Sequence, residues 1–217
     1  MSAPLLVIGN KNYSSWSLRA WLAMKALELP FEERRIALYV TGAKEEILRD
    51  SPSGKVPCLV DGAVRVWESL AILEYLAETH PQLWPAAPAA RAVARSISAE
   101  MHAGFAQLRQ HMSMNVRKRY PGKGRTPEVL QEIGRIAALW SECRARFGGS
   151  GPYLFGRFSA ADCMYAPVVL RFRTYEVDSP ADCRAYCEAM LALPAMREWI
   201  AAAEAEREVI EKFEPYG

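Results

Sequence analysis

Between Leu5 and Thr79 the chain has to build a sheet that is parallel in one place and antiparallel in another. Leu5 to Ile8 is an apolar run too short for a helix. Ser15 to Glu28 then repeats apolar side chains at spacings of three and four, and Phe31 to Leu38 again reads as a strand. A strand, a helix and a strand in that order predict two parallel neighbours. Glu45 to Arg49 is a short helical segment. Next come Val56-Pro57-Cys58-Leu59-Val60, Asp61-Gly62, and Ala63 to Trp67, two strands joined by a tight turn and therefore antiparallel. A helix from Glu68 to about Thr79 completes the unit.

After it the pattern changes. His80 to Pro88 (HPQLWPAAP) contains three prolines, which forbid a continuous helix, and reads as a linker. Everything beyond is helical in pattern: about Ala89 to Tyr120, stopped by Pro121-Gly122; Pro127 to Phe147, stopped by Gly148-Gly149; and shorter helices after Ser159, Ser179 and Pro194. The expected organisation is an α/β unit over 1–80, a linker over 81–88 and an all-helical unit over 89–217, with no internal repeat.

Composition narrows the function classes. The 217 residues are 51% hydrophobic and 24% charged, a globular balance, and the net charge of +2 offers no electrostatic case for nucleic acid. No apolar run approaches the length of a membrane span, and no charged segment precedes Leu5, so neither a membrane partner nor a secretory leader is expected. Cys58, Cys143, Cys163, Cys183 and Cys187 are odd in number and scattered, which predicts reduced thiols and a cytoplasmic protein.

A βαβ-ββα unit with Val56-Pro57 before its antiparallel pair resembles the thioredoxin-like fold. With Ser51-Pro52-Ser53-Gly54-Lys55-Val56-Pro57, then Trp67-Glu68-Ser69-Leu70-Ala71-Ile72, then a helical half, the whole chain resembles a cytosolic glutathione transferase. The resemblance implies a thioredoxin-like N-terminal domain, an all-α C-terminal domain, glutathione as co-substrate, a small hydrophobic electrophile as second substrate, no metal, and a homodimer. It also implies roles for particular residues. The proline matching Pro57 is cis in the family, so that Val56 can offer its N–H and C=O to the extended peptide, with Lys55 beside it. Ser69, at a helix start, would bind the γ-glutamyl carboxylate, and Glu68 would pair with its ammonium. Read without the family, Pro57 is an ordinary strand-opening proline and Glu68-Ser69 an ordinary helix cap.

Asn12 to Trp21 (NYSSWSLRAW) joins the first strand to the first helix. The resemblance aims such a loop at the glutathione sulfur, where a hydroxyl favours thiolate over thiol. Lowering a thiol pKa by roughly two units from about 8.5 needs about 2.7 kcal/mol. One charge-assisted hydrogen bond of about 1.5–3 kcal/mol and a helix-dipole contribution of about 0.3–1 kcal/mol supply it. Ser14-Ser15-Trp16-Ser17 is similar to the Ser-Ser-Cys segment of zeta-class transferases, whose first serine is catalytic. That makes Ser14 the first candidate and Ser15 the second; Ser15 equally suits a helix cap, and Tyr13 offers a phenol next door. Trp16, where those enzymes carry cysteine, is expected to wall the electrophile pocket together with Phe105 and Met112 on the long helix, although a stripe at that spacing also suits a core.

The remaining motifs are expected to be structural. Ser159-Ala160-Ala161-Asp162 has capping-box spacing. His80, His102 and His111 lack metal-ligand spacing, and Cys58 reads as a small buried hydrophobe. The run Arg117-Lys118-Arg119 is expected to be a solvated face at a helix C-terminus.

Overall fold

The computed structural model describes residues 3–217. Its sheet has four strands: β1 (Leu5–Ile8), β2 (Glu32–Arg35), β3 (Cys58–Asp61) and β4 (Val64–Trp67), in the order β2-β1-β3-β4. β1 runs parallel to β2, with Leu5 opposite Glu32, and antiparallel to β3, with Val7 opposite Cys58. The expected mixed sheet is therefore present. β2 is shorter than the run Phe31 to Leu38 because the chain turns away beyond Ile36, where the Leu38 N–H bonds the Asn10 side chain at 2.8 Å. The tight turn is Gly62-Ala63, one residue later than Asp61-Gly62, and Gly62 holds φ +57°, a conformation open to glycine.

Alternation along β1 divides the apolar side chains between two clusters. Leu6 and Ile8 join the main core, and Val7 joins Ile36, Ala43, Ile47 and Cys58 in a smaller one. Two helices cover the main-core side, α1 (Ser15–Ala26) and α3 (Ser69–Thr79); α2 (Ala43–Leu48) contributes to the smaller cluster.

The segment 81–88 holds a 3-10 turn, Pro81–Leu83, and its Leu83 and Trp84 are buried, so it packs rather than dangles. The helical half follows: α4 (Pro88–Ala103), α5 (Ala106–His111), α6 (Pro127–Phe147), α7 (Ala160–Tyr175), α8 (Ala181–Ala192) and α9 (Pro194–Ala205). α7 is the hub. Every residue of it except Arg173 is buried, and it packs on both α1 and α4. A helix covered on all sides carries no polar stripe, which is why APVVLRF reads as almost uniformly apolar. Trp21 of α1 meets Trp199 of α9 at 5.2 Å between ring centroids, so one core continues from the sheet into the helical half.

One expectation fails here. The helix expected over 89–120 is two helices broken at Gly104-Phe105, with Phe105 in the left-handed region at φ +58°, and it stops at His111. Beyond His111 the backbone finds other partners. Arg171 Nε donates to the Met112 carbonyl at 2.7 Å, and Thr174 Oγ1 donates to the Asn115 carbonyl at 2.8 Å. Side chains of α7 thus take carbonyls that a continued helix would have satisfied itself.

At the start of α7, both Ser159 N–H (2.8 Å) and Ser159 Oγ (2.9 Å) donate to one oxygen of Asp162. The other oxygen accepts from the Leu154 N–H at 3.2 Å. Burial pushes the Asp162 carboxyl up to about 6 in spite of these donors.

Candidate active site

β1 ends beneath a loop, Gly9 to Ser14, that turns the chain into α1. Ser14 caps the helix: its Oγ accepts from the Ser17 N–H at 3.4 Å and donates to Ser17 Oγ at 2.7 Å. Ser17 Oγ accepts in turn from the Gly9 N–H at 3.1 Å, which ties strand end to helix start. Ser15 is the first residue of α1. Both serines, with Tyr13 and Trp16, line a cavity of about 620 Å³.

A second pocket, of about 240 Å³, is lined by Trp16, Lys55, Val56, Pro57, Glu68 and Ser69. Trp16, Lys55 and Val56 belong to both, so the two spaces are neighbours across these side chains. The Val56-Pro57 bond is cis, and β3 begins one residue after it. Glu68 holds φ +68°, a costly backbone for a residue with a Cβ. Its side chain does not cap α3 but reaches His102 Nε2 of α4 at 3.6 Å. Ser69 is fully buried and its Oγ has no partner among the described residues. A buried hydroxyl without a partner costs free energy of its own, and here it sits among the unpaired N–H groups of a helix start.

Two of the expected wall residues lie elsewhere. Phe105 and Met112 are buried in the core and line neither space, because the break at Gly104 rotates them off the α4 stripe. The larger cavity is walled instead by Leu38, Tyr39, Val40, Met114 and Phe213, and by four cations: Lys44, Lys55, Arg109 and Arg171. No carboxylate is among its described lining residues.

The cations near Trp16 are densely placed. Arg19 stacks on its ring at 4.3 Å and Arg109 lies at 5.7 Å, while His102 meets it edge-on at 5.2 Å. Arg19 and Arg171 are both buried, and neither faces an acidic side chain within ion-pair distance among the described residues. Arg19 Nε donates to the Met164 carbonyl at 3.1 Å, and its Nη1 is left unpaired. Burial, then the charges of Arg171 and Arg109, lower the Arg19 pKa to about 9; burial, then Arg109, lower that of Arg171 to about 10. Burial, then Arg19, also holds His102 below its ordinary value. Buried cations repelling one another are costly, and an anion among them offsets that cost.

Sequence reasoning missed Arg109, Arg171, Tyr39 and Phe213. It also took Arg117 for a solvated residue at the end of a helix. In the structure no helix is there, and Arg117 turns inward onto Tyr13 and the end of the chain. For the arginines a signal existed: Arg19 and Arg171 each sit inside an apolar run, LRAWLAM and APVVLRF, where a charge is rare without a partner.

A mixed four-stranded sheet, a buried helix start beside a cis Val-Pro bond, and a helical half packed on α1 together define the architecture of the glutathione transferases. Two family models match the chain: glutathione S-transferase, N-terminal domain, over residues 13–79, and glutathione S-transferase, C-terminal domain, over residues 124–202. The chain belongs to the glutathione S-transferase family. It is 31% identical to maleylacetoacetate isomerase of Rattus norvegicus, over 89% of this chain and 90% of that one. It is 40% identical to a probable maleylacetoacetate isomerase of Caenorhabditis elegans, over 48% of this chain and about half (49%) of the relative. Among solved structures it resembles a glutathione transferase homolog from Burkholderia with bound glutathione, at a TM-score of 0.69 and 23% identity, covering 94% of this chain and all of the other.

Proposed function

We propose that the chain is a glutathione-dependent enzyme that binds glutathione in the smaller pocket and presents its sulfur, past Trp16, to an electrophile in the larger one. The observation that carries this reading is the convergence of Lys55, Val56, Pro57, Glu68 and Ser69 on one small space that adjoins the Ser14-Ser15 cavity. The unpaired Ser69 hydroxyl and the N–H groups at the start of α3 suit the γ-glutamyl carboxylate, and Glu68 suits its ammonium. Val56, just before β3, offers backbone groups to an extended peptide. Ser14 then stabilises the thiolate. Its oxygen keeps the Ser17 N–H, and its proton, which it donates to Ser17 Oγ in the structure, turns to the sulfur. The thiolate is the nucleophile; the serine is not.

A second reading has its own support. The cations Arg109 and Arg171, with no carboxylate among the described residues that line the same cavity, suit an electrophile that carries an acid group better than a purely apolar one. Relatives named maleylacetoacetate isomerase act on such an acid. Thiolate addition to a conjugated double bond, rotation about the resulting single bond and expulsion of the thiolate would isomerise the acid and return glutathione unchanged. A homodimer and a cytoplasmic location are part of the same reading, the second supported by five free cysteines.

Calorimetry with glutathione tests the pocket. Ser69→Ala removes a hydroxyl that has no partner among the described residues, so the melting temperature should hold or rise slightly while glutathione affinity falls about tenfold. Unchanged affinity would contradict the placement.

A further inference from the structure

The end of the chain, Glu206 to Gly217, returns across the loop that carries Ser14. The Glu206 carboxylate accepts from the backbone N–H of Lys11 at 2.7 Å and of Asn12 at 3.0 Å. These are loop donors that neither the sheet nor α1 satisfies. Arg117 donates to the carbonyls of Glu206 and Glu208, the latter at 2.7 Å, and to the Tyr13 phenol at 2.9 Å. That phenol donates to Glu214 at 2.5 Å. Ser113 Oγ then fixes the Phe213 carbonyl at 2.8 Å, which leaves the Phe213 ring between Tyr13 (5.9 Å) and Tyr39 (5.5 Å). The ring lines the larger cavity and not the smaller pocket, whose Pro57, Glu68 and Ser69 line that space alone.

We propose that this segment is a working part of the site, with Phe213 as the residue that selects the electrophile's apolar portion and Glu206 as the positioning residue for the Ser14 loop. The proposal rests on the glutathione reading above. Its logic is one of separation. Phe213 shares space with the cations and aromatics of the larger cavity, so its loss should be felt by whatever group is attached to sulfur and not by the tripeptide. Glu206 lines neither space; apart from Arg35, whose guanidinium lies 3.6 Å from it, its carboxylate is committed to two consecutive N–H groups of the Lys11-Asn12 backbone, immediately ahead of Tyr13 and Ser14, so its influence on the sulfur passes through where that loop holds Ser14.

S-alkyl glutathiones test this without turnover, because their peptide occupies one space and their alkyl group the other. In the full-length protein, Phe213→Ala should weaken S-hexylglutathione about tenfold and glutathione less than twofold, and Phe213→Leu should recover most of the loss. Equal losses for both ligands, or none for either, would overturn the role of Phe213. Glu206→Gln should leave glutathione affinity in place but raise the pH at which the bound thiol ionises by about half a unit, whereas a merely structural tie would lower the melting temperature without moving that titration. If the unaltered protein binds neither glutathione nor its S-alkyl forms, the glutathione reading itself falls and this proposal with it.

Discussion

The two spaces that meet at Trp16 are built in different ways. The smaller is made from two short stretches, Lys55 to Pro57 and Glu68-Ser69, whose backbone is set by the strand and helix they border. The larger collects Arg109 from α5, Arg171 from α7, Tyr39 from the loop after β2 and Phe213 from the end of the chain. Local geometry makes the first; packing of distant segments makes the second. A space of the first kind tolerates change in the rest of the molecule, and one of the second kind can be reshaped without disturbing its neighbour.

Removing the charges of the larger cavity should separate the two spaces most clearly. Arg109→Gln together with Arg171→Gln should lower kcat/KM for an acid-bearing electrophile on the order of a hundredfold, the scale of one or two charge-assisted hydrogen bonds. Glutathione affinity should stay within about twofold. Equal losses in both would mean that the two spaces are one. Because Arg171 also holds the buried Met112 carbonyl at 2.7 Å, the doubly substituted protein should melt a few degrees lower, and calorimetry with glutathione checks that it still folds and binds.

A smaller effect probes how α7 holds Arg171 in place. The carboxyl of Asp162 titrates near 6 in the native protein, above its ordinary value of 3.8, because it is buried. Between those values the native chain keeps a proton that the unfolded chain has released, so this group's contribution to stability falls as pH rises from about 4 to about 6 and then levels. Asp162→Asn cannot titrate. Its melting temperature relative to the unaltered protein should therefore climb by several degrees over that interval and stay flat above it. A gap that does not change with pH would place the Asp162 carboxyl outside the buried cluster.

The same contrast explains what could be read from the sequence. The mixed sheet and the helix start at Glu68-Ser69 follow from strand length, turn chemistry and order along the chain, all local properties, whereas the cis Val56-Pro57 bond is legible only through the family resemblance. The larger cavity has no such signature. Phe105 and Met112 were expected there because a three-four spacing was carried through Gly104; the glycine, followed by a residue at φ +58°, ends that register and sends both side chains into the core. His111-Met112-Ser113-Met114-Asn115 continues the apolar spacing, yet its backbone carbonyls are held by Arg171 and Thr174, and the Asn115 side chain accepts from Asn12, all from far along the chain. Tyr39 lies in a turn and Phe213 ends a 3-10 turn far along the chain, and nothing local marks that the two rings meet. Tyr13, weighed as a phenolic alternative to Ser14, is engaged with Glu214 and Arg117, and burial and Glu214 raise its pKa, so it is poorly suited to supply charge to a sulfur.

The proposed chemistry turns on Ser14 lowering the pKa of bound glutathione. Ultraviolet absorbance of the thiolate, followed against pH with glutathione saturating the protein and with Ser14→Ala alongside, measures it directly. Half-ionisation is expected near neutral pH, roughly two units below the free thiol at about 8.5, with a return toward that value in Ser14→Ala while glutathione stays bound. Bound glutathione that titrates like the free thiol, or a depressed titration that survives Ser14→Ala, would contradict it.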